Sequence, residues 1–361
     1  MTTKRYLPPS ALHPFLNDLP STVSKRNLGE SVNGLPIQLL TLGEGSCKIL
    51  MWSQMHGNES TTTRALLDFI PWFLSTAQRQ YQKSFTLSII LQLNPDGAKA
   101  YTRLNAAGVD LNRDAIHLTQ PESHILHNVY HEIKPDYCLN LHGQRTIFSA
   151  GKMGKTASLS FLAPSADPER SVTPSRKKAM QLIVAIKREL EQELPGQIGR
   201  YDDAFNPNCV GDKFTQLGTP TILFEAGHVP NDYQREITRR HLFKCFKTLL
   251  NSILSTNSEH TTKEYFEIPE NAKDFVDIII SGVTIEAEGS LHLNQEVAIR
   301  YKEQLEGGEV RFIPVMEEYG LKLPLNAHKR LVLPKNKVEK TLLFEKGETI
   351  QNKELNSFCS I

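Results

Sequence analysis

Residues 48–59 read KILMWSQMHGNE. The apolar run from Ile49 to Trp52 is short and closed by polar residues, the pattern of a strand buried on both faces. His56, Gly57, Asn58 and Glu59 follow it at once. The same pattern recurs outward from this point. Residues 61–74 are expected to form a helix, with Ala65, Leu66, Phe69 and Phe73 on one face. Residues 86–93 (TLSIILQL) read as a second buried strand, and 94–113, rich in Asn, Asp and Gly, as loop. A helix over 122–132 and a strand over 137–141 (YCLNL) come next. Thr173-Pro174 offers an N-cap and a first-turn proline for a helix to about residue 193. Residues 221–224 (TILF) read as a strand. Asn231 or Asp232 then caps a helix to about 254, with Tyr233, Ile237, Phe243, Phe246, Leu250 and Ile253 at helical spacing. Residues 1–30, with four prolines, read as irregular. Strands alternating with helices to about residue 255 imply an α/β sheet covered on both faces.

The pattern changes after that. Residues 255–263 are polar and linker-like. Residues 275–286 alternate and are β-branched, 291–301 and 331–333 are strand-like, and Gly289, Gly307-Gly308 and Gly320 supply turns. The expected division is one domain over 1–256 and a small β-rich domain over 265–361.

A length of 361 residues suits two domains, or one with an appendage. Lys plus Arg total 41 against 40 for Asp plus Glu, a net charge of +1, which argues against a general nucleic-acid binder. An apolar fraction of 39% with 22% charged residues fits a globular chain and not a disordered one. The longest apolar runs, such as 275–283, are far short of the ~20 residues of a spanning helix, so no membrane partner is expected. The first residues, MTTKRYLPPSALHPF, show no apolar signal segment. Cys47, Cys138, Cys209, Cys245 and Cys359 are dispersed without CxxC pairing, which suggests free thiols in a reducing compartment. The expectation is a cytoplasmic protein; the sequence leaves its oligomeric state open.

The chemistry concentrates at predicted strand ends. His56 and Glu59, three apart in a loop leaving a buried strand, form a two-ligand half-site of the N/O type that zinc takes. His142 stands at the end of the 137–141 strand, and in open α/β sheets ligands gather at that edge. His56, Glu59 and His142 together supply three protein ligands and leave a fourth position for water. Asn94-Pro95-Asp96-Gly97 reads as a turn. Arg103 and Arg113 lie in polar loop; beside a metal, a guanidinium polarises a carbonyl, and another, with an Asn amide as companion, grips a carboxylate. Glu225 closes the TILF strand. A carboxylate there is costly unless paired or functional, so it is either a general base or a salt-bridge or capping group.

This ordered set (H-x-x-E, NPDG, Arg, DLNR, His, Glu) resembles the M14, carboxypeptidase A-like, zinc metallopeptidases over about residues 30–256. The resemblance implies a three-layer α/β/α sandwich with a mixed central sheet, followed here by the β-rich tail. It implies one Zn2+ per chain on His56, Glu59 and His142. It implies Arg103 on the scissile carbonyl, Asn112 and Arg113 on the substrate's terminal carboxylate, Glu225 as general base, and Tyr201 as the mobile site tyrosine. The implied activity is cleavage of a peptide or amide bond next to a free carboxylate, with a small peptide as substrate. HGNE, DLNR and LH also resemble the aspartoacylase and succinylglutamate desuccinylase group, which implies the alternative of an N-acyl amino acid deacylase. Between Tyr201 and Glu225, either Asp202, Asp203 and Asp212 place negative charge in the pocket and favour a basic substrate, or they build turns.

Overall fold

The computed structural model describes residues 4–255, 261–333 and 341–350. In chain order the strands are β1 (Ser24–Glu30), β2 (Pro36–Leu42), β3 (Cys47–Ser53), β4 (Phe85–Ile90), β5 (Tyr137–Gly143), β6 (Ser149–Ala150), β7 (Leu159–Leu162), β8 (Ile198–Arg200) and β9 (Thr221–Ala226). They continue with β10 (Asn271–Ala272), β11 (Phe275–Ala287), β12 (Ser290–Glu306), β13 (Glu309–Gly320), β14 (Asn326–Val332) and β15 (Thr341–Leu343). The main sheet has the order β1-β2-β4-β3-β5-β9-β7-β8. Its centre, β4-β3-β5-β9, is parallel, whereas β1/β2, β2/β4 and β9/β7 pair antiparallel, so the sheet is mixed.

Alternate residues of the central strands enter opposite cores. Ile49, Met51, Leu139, Leu141 and Phe224 join a cluster with the helices Thr61–Leu74, Pro174–Leu190 and Glu236–Leu254. Leu50, Trp52 and Cys138 face the helices Pro121–Ile133 and Val210–Gln216. The period of two along a strand puts an apolar run on both faces, and each face needs its own cover. The α/β/α layering follows.

The second sheet has the order β13-β12-β11-β14, with β15 also on β11. Ile278, Ile280, Val283, Ile285, Val297 and Ile299 make its core. The short β6/β10 ladder lies between the two parts of the chain. Cys47, Cys138, Cys209 and Cys245 are free thiols; Cys359 lies outside the described residues. Among the described residues no helix is long and apolar enough to cross a membrane.

Several elements depart from expectation for identifiable reasons. Residues 1–30 contain the helix His13–Asp18 and strand β1, an edge strand largely exposed, whose SKRNLGE sequence carries no apolar alternation. The 94–113 stretch opens with a helical turn, Pro95–Ala100, capped by the Asn94 side chain accepting from the Gly97 N–H at 2.8 Å. The last long helix starts at Glu236. Asp232 caps it from four residues upstream, its carboxylate accepting the N–H groups of Glu236, Ile237 and Thr238. Tyr233 therefore lies outside that helix and packs against Tyr301 and Phe312 of the second sheet. Of the polar stretch 255–263, residues 256–260 lie outside the described residues, and Thr261 with Glu264 forms a capping box on the helix Thr262–Phe266.

Phe224 is fully buried on β9, its ring 5.2 Å from Phe161 and 5.8 Å from Phe246. Phe224→Ala should cost about 3–5 kcal/mol of unfolding free energy in a urea titration. Leu217→Ala, at an exposed position, should stay within about 0.5 kcal/mol.

Candidate metal centre and its cleft

Neighbouring parallel strands β3, β5 and β9 end at one edge of the sheet. His142 and Glu225 are directly opposite each other in the β5/β9 register. The 56–59 loop leaves β3 as a tight turn in which the Glu59 N–H donates to the His56 carbonyl at 3.1 Å. The NPDG segment sets the position of that turn. A Cβ at Gly57 would stand 1.9 Å from the Gly97 carbonyl carbon, so only glycine lets the two backbones meet. Asn94 adds a second tie, its backbone N–H on the Gln54 carbonyl at 3.0 Å. NPDG is thus the buttress of the HGNE loop.

Four donor atoms of three residues converge. His56 Nδ1 is 2.9 Å from Glu59 Oε1, His142 Nδ1 is 3.0 Å from Glu59 Oε2, and the two Nδ1 atoms are 3.1 Å apart. A tetrahedral zinc with ligands at about 2.0–2.2 Å sets its donors roughly 3.3 Å apart, so this triangle fits the ion with little adjustment. The three residues are the group of potential metal ligands found among the described residues. Both imidazoles are almost fully buried. Glu59 is further pinned by the Gly143 N–H at 2.8 Å.

The outer partner of His56 is Asp110, its carboxylate 3.0 Å from Nε2. A carboxylate behind a ligating imidazole fixes its tautomer and raises its basicity. Burial opposes charge on His56, but Glu59 and Asp110 outweigh it and lift the imidazole to about 9. Glu59 and Asp110 are themselves held well below the usual carboxylate range despite burial, chiefly by His56. His142, deeper, is kept below its ordinary value by burial. Two ionised carboxylates around two imidazoles make a cluster that attracts a cation. Asp110 had no assigned role in the sequence reading; its place at the head of DLNR was the available signal.

Arg103 is half-exposed and reaches this cluster, 2.9 Å from Asp110 and 3.5 Å from Glu59. Glu225 is half-buried, and its Oε2 is buried without a hydrogen-bond partner. Burial, reinforced by the charge of Glu59, raises its carboxyl well above the usual range. Glu225 is therefore not the salt-bridged or capping group that the sequence left open: it makes no ion pair among the described residues. Tyr201 lines the same cleft, beside the Phe148 ring, and burial and Glu225 push its phenol up. Asn112 accepts the Val210 N–H at 3.1 Å through its side-chain oxygen, which turns its amide N–H2 outward from that contact. Arg113 donates to its neighbour's carbonyl at 2.8 Å, and both residues line the cleft.

The three aspartates separate. Asp203 is buried in an ion pair with Arg176 and Arg170 and does not line the cleft. Asp202 is an exposed residue of the rim, 3.7 Å from Arg170. Asp212 lines the cleft, where burial raises its carboxyl to about 6.

The cleft holds about 1060 Å³ and has walls from both parts of the chain. The second sheet supplies Arg300, Tyr301, Lys302, Glu303 and Phe312. Nothing in the sequence reading anticipated that contribution.

Residues 10–135 match the family model described as Zinc carboxypeptidase. Among curated proteins, an uncharacterized protein of Zymomonas mobilis is 28% identical over 144 residues, covering 37% of this chain and 38% of that protein. Carboxypeptidase SOL1 of Arabidopsis thaliana is 26% identical over 166 residues, covering 39% of this chain and 34% of its own. The chain thus spans little more than a third of the length of the curated relatives it matches. Among solved structures, a metallo-carboxypeptidase from Burkholderia cenocepacia superposes with a TM-score of 0.56 at 20% identity, over 70% of this chain and 71% of that one. The carboxypeptidase A of Helicoverpa armigera gives 0.55 at 15% identity, over 72% and 76%. At these identities the structural likeness is one of fold. The matched segment carries His56 and Glu59, the fold is that of the carboxypeptidases, and β5 delivers His142 to complete the ligand triangle. Over residues 10–135 the chain is thus similar to the zinc carboxypeptidase family, and its fold is carboxypeptidase-like.

Proposed function

We propose that the protein is a zinc-dependent carboxypeptidase that hydrolyses the amide bond next to a free carboxylate of a small peptide. The observation that carries this reading is the placement of Glu225, with a buried and unpartnered carboxylate oxygen, beside a three-residue metal site in a cleft that also contains Asn112 and Arg113. His56, Glu59 and His142 would hold the ion. Zinc bound there would supply Lewis acidity, to activate water as a nucleophile and to polarise a carbonyl.

The chain's own groups do the rest. Arg113 and Asn112 grip the terminal carboxylate and set the scissile bond over the ligand triangle, which is positioning catalysis. Glu225 takes a proton from the attacking water and passes it to the leaving amine. Arg103 donates to the oxyanion that forms on the carbonyl oxygen. Tyr201, on the same wall, closes over the bound residue. Asp110 orients His56 and acts only through it. Deacylation of N-acyl amino acids would use the same groups, and it is the second reading because the β-rich part of the chain also lines the cleft. A panel of short peptides set against N-acyl amino acids distinguishes the two.

Glu225→Gln should retain zinc, measured by elemental analysis, and lose about two to four orders of magnitude in kcat. Wild-type turnover in that variant would remove Glu225 from the role of base. Arg113→Ala should raise KM and lower kcat/KM on a free carboxylate substrate, with a much smaller effect on its C-terminal amide. Equal losses on both would argue against the clamp. Asp110→Asn should weaken zinc binding about 10–100-fold in a chelator competition, and unchanged affinity would show that Asp110 does not tune the site.

A further inference from the structure

The β12–β13 hairpin is longer than the sheet it belongs to. Pairing of β11 with β12 begins at Ile278 opposite Ile299, and the Asp277 carboxylate takes the Tyr301 N–H at 2.8 Å. The β12/β13 ladder runs on to Glu306 opposite Glu309. The overhang is pinned to the main part of the chain instead. Glu303 accepts from Arg5 at 3.0 Å and from the Tyr101 hydroxyl at 2.5 Å. Phe312 lies 5.4 Å from the Tyr233 ring and 5.7 Å from the Arg5 guanidinium. Lys4 reaches Glu309 at 2.8 Å.

This anchoring makes the hairpin a fixed wall of the cleft and sets one cation there, while a second lines the cleft from the main part of the chain. Lys302 belongs to the hairpin; Arg145 follows His142 by three residues in the chain that leaves β5. The other cations of the cleft wall are matched or tied. Arg5 is paired with Glu303, Arg300 with Glu317 and Arg103 with Asp110, and Arg235 donates to the carbonyls of Ala226 and Gln144. Arg145 and Lys302 make no ion pair among the described residues and are exposed to the cleft's solvent. Asn112 and Arg113 are tied to the 206–212 segment through Val210 and Asn208. In the peptidase reading that clamp takes the terminal carboxylate, and the rest of a bound peptide lies across the ligand triangle in the cleft that Arg145 and Lys302 also line. Unmatched like charges lining a confined wall concentrate ligand groups of opposite sign.

We propose that Arg145 and Lys302 form an anion subsite on the acyl side of the scissile bond, so that the cleft selects peptides with an acidic side chain just before the residue to be removed. This inference rests on the peptidase reading above.

The test compares three blocked peptides ending in glutamyl-leucine, glutaminyl-leucine and lysyl-leucine, with the zinc-loaded full chain. The expected order of kcat/KM is acidic, then neutral, then basic. The acidic peptide should lead the neutral one by about tenfold at low ionic strength and lose much of that lead in high salt. Arg145→Gln combined with Lys302→Gln should bring the acidic-to-neutral ratio close to one, each single change should lower it part of the way, and Lys178→Gln, on the exposed face of the helix Pro174–Leu190, should leave it alone. Equal rates for the three peptides in the wild type, or a preference that survives the double substitution, would overturn the subsite and leave the peptidase reading intact. Should no peptide be hydrolysed, the peptidase reading fails, and calorimetric titration with the same peptides still decides the subsite: tighter binding of the acidic one, lost in the double variant, supports it, and equal affinities overturn it.

Discussion

The close approach of Gly57 to Gly97 is the constraint on which the metal site depends. A Cβ on Gly57 would run into the Gly97–Ala98 backbone, and one on Gly97 into the Asn94 side chain and the Leu104 carbonyl. That contact holds the HGNE turn against the NPDG turn and so fixes where His56 and Glu59 stand relative to the end of β5. A substitution there would have to push the two turns apart. The ligand triangle, with sides of 2.9–3.1 Å, has no slack to absorb such a shift. The same logic extends to Asp110, which locks the His56 ring from behind. His56 and Glu59 each have a partner outside the triangle, Asp110 and the Gly143 N–H, and His142 takes its place from β5.

Electrostatics divides the cleft into regions of different character. Around the triangle, Glu59 and Asp110 remain ionised because His56 and Arg103 stand against them. On the neighbouring strand β9, opposite His142, Glu225 lacks such a partner and is raised by burial. Neighbouring carboxylates with opposite shifts are the arrangement from which distinct chemical roles arise. Asp203, by contrast, spends its charge on Arg176 and is structural. The type of residue alone does not distinguish these cases; the nearest cation does.

The second sheet is more than an appendage. Its hairpin extends past β11 and is fastened by Arg5, a residue near the start of the chain, to Glu303 near its end. The fastening buries charge on both partners, and removing either one would leave the other uncompensated. The N-terminal segment, the main module and the β-rich part therefore share one network, and the cleft has its full set of walls only when all three are in place.

The sequence by itself determined the strand ends and the residues clustered there. Apolar runs closed by polar residues mark the central strands, and a ligand placed within a few residues of such an end inherits its position from the sheet. His56, Glu59, His142 and Glu225 were legible for that reason, and so was the helix Thr61–Leu74, whose apolar spacing agrees with its local propensity. The edge strand β1 was not legible, because an exposed strand needs no apolar pattern. Tyr233 was misplaced on the last helix because its ring satisfies helical spacing while packing on the other sheet. The tertiary structure alone decided which aspartate backs His56 and which pairs with an arginine. It alone brought Arg5 to Glu303, 298 residues away, and Lys302 to the wall that also contains Arg145. Such contacts depend on how whole elements pack, and no local spacing encodes them.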